Sequence, residues 1–436
     1  YNTLTGVGLK NAFVGTASSI RIKSDTHYNQ LGYDDNTITG VTVASKTPGT
    51  YANGLRVAII DAKADQVLTV SGISTVGLGI TQSAAGRIVA GAGGTSVLDG
   101  YIKGIVTEVG TGTISVKTLA HVSTAGTVTN VNYQNGGVYN FATGNISASA
   151  AGTNVGGTAQ SVTAAVDWFE QQNIVLTQTD TNGNPLSLEW DALADRPSTS
   201  TYVASRGGRF DELHVVVIDD KGTITGNAGT ILEKHLNLSK AKDAEYSVGS
   251  TSYWRKYLAT NSQYIYGGSA PGITTSAFTA GTATAIGNLD ADSGWDQDAS
   301  EVNFGLSGVV TSSLAGGTNY GDKTDYTTSG ALTSGVDDLI TGYGLFENKE
   351  EIEVDFILMG AAHHPKEQSQ AIAEKIIAVA EARKDAVAFI SPYRQAFLND
   401  GTAGTVTVNN IDTMTNNIVA YYAPITSTTY LSLIHI

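Results

Sequence analysis

"IEVDFILMGAAHHPKEQSQAIAEKIIAVAEARKDAVAFI", Ile352–Ile390, decides the fold class of this chain. The apolar run from Ile352 to Met359 reads as a strand, and Pro365 stands where a helix begins. Ile372, Ile376 and Val379, with Ala373, Ile377 and Ala380 beside them, recur at spacings of three and four, which gives a helix one apolar stripe. Burying its three isoleucines and one valine contributes about 6–12 kcal/mol before chain entropy is subtracted. Arg383 and Lys384 suit the negative end of that helix, and "AVAFI", Ala386–Ile390, supplies the next strand. Strand, helix, strand is a parallel βαβ unit with a right-handed crossover. The expected fold class is therefore mixed α/β.

Upstream, "KTPGTYANGLRVAIIDAKADQVLTV" opens with turn dipeptides and continues into a buried strand over Leu55–Ile60. From Ser71 to Gly157 the composition shifts to Gly, Ala, Thr, Ser and Val in short alternating pieces, the pattern of an inserted β-rich domain. "TAAVDWFEQQN" reads as a helix with Val166, Trp168 and Phe169 on its apolar side. Leu213–Ile218 is a β-branched strand closed by the turn Asp219-Asp220-Lys221-Gly222, a hairpin. "STSYWRKYLATNSQYIYG" gives a short helix with a Ser or Thr cap, then a strand over Tyr264–Tyr266. Residues 267–332 are rich in Gly, Ser, Thr and Ala and read as loops with short strands.

Composition narrows the function. Forty acidic against 25 basic residues give a net charge of −15, which disfavours binding to nucleic acid or anionic membrane. Charged residues are 15% of the chain, below the roughly 25% usual in soluble domains, whereas Gly numbers 50; β-rich extracellular or virion proteins have this balance. The chain has no cysteine, which removes disulfides, thiolate metal sites and cysteine nucleophiles. No apolar run is long enough to span a bilayer.

Five stretches could carry chemistry. His363 and His364 stand at the carboxyl end of a strand, where open α/β sheets bind ligands, yet no nearby carboxylate or third histidine completes a metal set. They read as a polar loop capping the helix. Asp219 and Asp220 are a carboxylate pair, but the following Lys-Gly makes them a turn. The acids of "ENKEEIEVD", Glu347–Asp355, read as a solvated connection. Arg206-Gly207-Gly208-Arg209 is a single glycine turn whose arginines are free to pair with acidic neighbours, and "GAGGTS", Gly91–Ser96, lacks the lysine and helix of a phosphate loop. No catalytic, cofactor-binding or metal-ligating residue is assigned, and none of the usual hydrolase, zinc-protease or nucleotide motifs is present.

"PGTYANGLRVAIID", "DWFEQQ", "SRGGRFDELHVVVIDDKGTITG", "YWRKYLATNSQYIY" and "LFENKEEIEVDFILMG…EARKDAVAFISP", followed by "NNIVAYYAPITSTTY", occur in that order. Together they resemble the contractile tail sheath proteins of myovirus-type bacteriophages, over residues 30–70, 160–266 and 335–430. The resemblance implies a conserved sheath-type α/β core in rings stacked around an inner tube. Terminal arms then lend strands to neighbouring copies, and contraction is a switch between two packings of the same subunits. It implies no enzyme activity and no cofactor. The implied partners are further copies of the chain, the tail tube protein, and the baseplate and tail terminator proteins. There is no direct nucleic-acid contact and no membrane insertion. The implied location is the phage tail of the virion, after assembly in the bacterial cytoplasm.

On this reading residues 1–70 are the N-terminal part of the sheath core and 71–157 the insert, placed on the outer face. Residues 158–334 form the middle domain and 335–430 the βαβ domain. The start and the C-terminal part of the core are expected to be missing, and such a chain is expected not to polymerise into tubes by itself. "LSLIHI", 431–436, reads as one frame of a sequencing-library adapter, a non-native tail. Two other functions compete. A secreted or surface β-rich adhesin fits the low charge but needs a repeat period or calcium loop, and neither is visible. An α/β hydrolase would have to use His363 or His364.

Overall fold

The computed structural model describes residues 10–22, 24–31, 40–91, 94–149, 158–271, 294–318, 336–360, 365–393, 396–400 and 406–425. The chain is mixed α/β, and its described residues divide into two compact units, one within Lys10–Gly317 and a second that holds those from 336 to 425.

The first unit is organised by a four-stranded antiparallel sheet in the order Thr230–Ser239, Glu212–Asp219, Leu55–Asp61, Val309–Ser313. Its two central strands are "LRVAIID" and "ELHVVVID", apolar almost throughout, because both faces of the sheet are covered. Val57, Ile59, Val215 and Val217 face the helix Trp254–Asn261, which contributes Trp254 and Leu258. Ala58, Ile60, Val216 and Ile218 face the opposite way, against Trp168, Phe169, Ile174 and Trp190. Period-two alternation thus divides one apolar run between two cores.

Between the first central strand and the rest of the sheet the chain builds a closed six-stranded antiparallel barrel. Its strands are Gln66–Val70, Gly79–Ser83, Tyr101–Val109, Thr113–Val122, Gly144–Ser149 and Thr158–Asp167. Closure comes from the pairing of Tyr101–Val109 with Thr113–Val122, and register shifts at Lys103/Gly104, Val106/Glu108 and Val162/Ala164 supply the bends. Leu68, Ile80, Ile102, Val106, Val116 and Phe141 fill the interior. Phe141 arrives from a loop and lies over Gly104, where a Cβ would come within 2.8 Å of its ring. Gln66 and Gln82 fix that loop. Each side-chain amide both donates to and accepts from one residue's backbone, Phe141 and Ala142 respectively.

Three local expectations need correction. "TAAVDWFEQQN" is not a helix: Thr158–Asp167 is a barrel strand, Val166 is exposed, and only a single 3-10 turn, Phe169–Gln171, follows. Its Thr and Val content suits a strand, and ladders on both sides hold it there. The hairpin is present, Glu212–Asp219 pairing with Thr230–Ser239, and so is the Asp219–Gly222 turn, with Gly222 at φ 70° and its N–H on the Asp219 carbonyl, but that turn does not close the hairpin. The chain loops on to Gly229 before pairing resumes at Thr230. The helix Trp254–Asn261 starts at Tyr253 with no side-chain cap, so the expected Ser or Thr cap is absent.

In the second unit the strands Phe356–Leu358 and Val387–Phe389 pair in parallel and flank the helix Lys366–Arg383, the βαβ unit read from the sequence. The first strand is shorter than Ile352–Met359. Helices Val336–Gly344 and Ile411–Tyr422 complete this unit.

Candidate assembly surface

The helix Lys366–Arg383 buries Ile372, Ala373, Ile376 and Val379, the stripe its spacing dictates. Beneath it lie Ile357 and Ala388, one from the middle of each parallel strand. Because side chains alternate, Phe356 and Leu358 on one strand and Val387 and Phe389 on the other face away from the helix. That face is apolar too, and it is open. Phe356 and Leu358 are each 62% exposed, Val387 51% and Phe389 38%. Parallel strands are ordinarily covered on both sides, so a two-stranded parallel sheet with four large apolar groups turned to water is a half-finished core.

The supporting framework is firmly tied. Arg383 is buried and donates to the Phe346 and Ile352 carbonyls while pairing with Asp385, and Lys384 ends the helix in a left-handed turn at φ 63°. The Tyr343 hydroxyl donates to the Leu358 carbonyl at 2.9 Å. Tyr421 is buried between Tyr393 and Tyr422, and burial raises its phenol above the ordinary value. The open face is therefore presented by a packed body.

The stretches singled out in the sequence lie elsewhere. His363 and His364, like 431–436, lie outside the described residues. Asp219 is buried, and its carboxylate accepts from the backbone N–H groups of Thr223, Ile224 and Thr225 and from the Thr225 hydroxyl. Burial works to raise its pKa, but these donors outweigh it and hold the carboxyl below the ordinary value. Asp220 is held low in the same way, its burial offset by Arg56 and Thr177. Both carboxylates are committed to organising a loop. Glu347 pairs with Lys375 at 2.5 Å, and Gly91 pairs with Gly94 at the end of a hairpin.

Of the two arginines around Gly207-Gly208, Arg206 lies over the Tyr202 ring and 4.0 Å from Asp243. Arg209 departs from expectation: its guanidinium donates to the Leu119 and Val131 carbonyls of the barrel region, not to a carboxylate. Buried His214 is spent on structure as well, with Nε2 on the Asp195 carbonyl and Nδ1 accepting from the Asn237 N–H, while burial lowers its pKa. Among the described residues no group of three or more His, Asp or Glu is placed to hold a metal ion, and no helix is long and apolar enough to cross a membrane.

The open apolar face was the feature the sequence reading passed over. Its signal was that "FIL" and "VAF" contain no polar position at all, which demands cover on both sides. No family model matches the chain, and no curated protein matches it.

Proposed function

We propose that this chain is a structural subunit of a phage contractile tail sheath. Copies polymerise around the tail tube and contract to drive the tube through the host envelope for genome delivery. One observation carries the reading beyond the motif order: the parallel strands of the βαβ unit keep an apolar face open, as a subunit whose core is completed by association would. The buried ionisable groups described above serve turns and strand junctions, which suits a protein whose work comes from how copies dock. The sheath-type core, the ring lattice, the tube, baseplate and terminator contacts and the place in the virion all belong to this proposal.

Sedimentation velocity on the full-length gene product tests it. The unsubstituted protein should run as a large polymer, and Phe356→Ser with Phe389→Ser should shift it toward the single chain. An unsubstituted protein that sediments as one copy at all concentrations contradicts the proposal.

A further inference from the structure

We infer that the six-stranded barrel is locked to the four-stranded sheet, so that the two turn as one rigid body in any rearrangement of the molecule. This goes beyond the sheath reading and holds or fails without it.

An inserted domain entered and left by two neighbouring chain segments is ordinarily hinged at the crossing. Here the crossings adjoin: the Trp168 N–H, just after the last barrel strand, donates to the carbonyl of Asp65, just before the first. Two such strands side by side would define a hinge line. They are buried and cross-braced instead. Asp65 accepts from Lys117 Nζ at 2.8 Å and from the Thr118 N–H at 2.8 Å, both on the barrel wall. Arg196 reaches in from the sheet side of the crossing, pairs with Asp167 and stacks over the Tyr133 ring, whose hydroxyl donates to the same carboxylate at 3.0 Å.

A further group of contacts widens this brace. It begins at Leu119, the next residue along the wall strand, and joins the first where Lys117 Nζ lies 4.9 Å from the centre of the Phe210 ring. There Arg209 donates to the Leu119 carbonyl at 2.9 Å and to the Val131 carbonyl at 2.8 Å. Its neighbour Phe210 packs with Leu306 against Ile105, Leu119 and Ala120 of the barrel. Phe210 holds φ 68°, a backbone setting that a bulky residue keeps only when its surroundings dictate it. Arg209 and Phe210 belong to neither crossing segment; they come from the lead into the central strand Glu212–Asp219. The crossing segments, Arg196 and the Arg209-Phe210 lead thus meet the barrel wall in one continuous buried patch drawn from separate parts of the chain, and swinging the barrel would tear it open.

The absence of cysteine makes the test direct. Thr111→Cys on an exposed barrel turn and Lys234→Cys on the exposed side of the sheet edge take nitroxide labels, and double electron–electron resonance reads the distance distribution in the full chain. A single narrow distance is expected, and Arg209→Ala should broaden it or add a second component. Should Arg209→Ala fail to fold, Arg209→Lys reads the same point, because lysine keeps the charge but lacks the planar fork that here divides its N–H groups between the Leu119 and Val131 carbonyls. A broad or two-component distribution in the otherwise unsubstituted protein overturns the inference. So does a distribution that neither Arg209 substitution alters.

Discussion

The rings of Phe356 and Phe389 stand 5.8 Å apart, one on each parallel strand, on the side turned away from the helix that covers the other face. Two rings in contact in water form an adhesive patch more than a stabilising core. Replacing both by serine should therefore change folding stability by less than about 1 kcal/mol, as surface substitutions do. Binding of an environment-sensitive apolar dye should fall sharply. A dye titration with a urea melt of each variant checks both; unchanged dye binding would mean that the face is covered within the chain.

Lys240 is fully buried, its ammonium donating to Asp61 at 2.8 Å and to the Phe210 and Gly305 carbonyls. Burial pulls its pKa down, opposed by the Asp61 charge. Lys240→Met keeps the volume but leaves Asp61 buried with only the Ser307 and Gly308 N–H groups. A loss of about 3–5 kcal/mol is expected from denaturant unfolding.

Acid should expose the role of Asp219. Its folded pKa lies below the ordinary 3.8, so the carboxylate contributes stability that is present above pH 3.8 and is lost as pH falls through the depressed folded value. Asp219→Asn should be less stable at neutral pH by about 1–3 kcal/mol, because the amide turns a donor toward backbone N–H groups. The gap between variant and parent should narrow as pH drops below 3.8. Urea midpoints measured across that range check the sign. A constant gap would remove Asp219 as its source.

Gly104 leaves room for Phe141 in the barrel interior. Gly104→Val should displace that ring and cost about 1–3 kcal/mol through overpacking. Phe141→Ala should cost about 3–5 kcal/mol through the cavity it leaves. Thermal melts order the two, and a neutral Gly104→Val would show that the loop yields.

Legibility in the sequence followed the range of the forces involved. The βαβ unit could be read because the stripe Ile372, Ile376, Val379 and the strands beside it are set by local period and burial alone. The central strand Leu55–Asp61 was legible for the same reason. Thr158–Asp167 was not: the letters around Trp168 and Phe169 mimic a helical face, and only the distant partners Gln66–Val70 and Gly144–Ser149 make it a strand. Closure of the barrel depends likewise on pairings that no window of sequence contains. For the assembly surface, the apolar composition of Phe356–Leu358 and Val387–Phe389 was visible. Which side would lack cover was settled by where the helix Lys366–Arg383 packs.

Negative-stain electron microscopy of the full-length gene product tests the proposed mechanical role most directly. Hollow tubes of stacked rings, lost when Phe356 and Phe389 are both serine, are the predicted result. Isolated particles, under conditions where the unsubstituted protein is folded and concentrated, would contradict it.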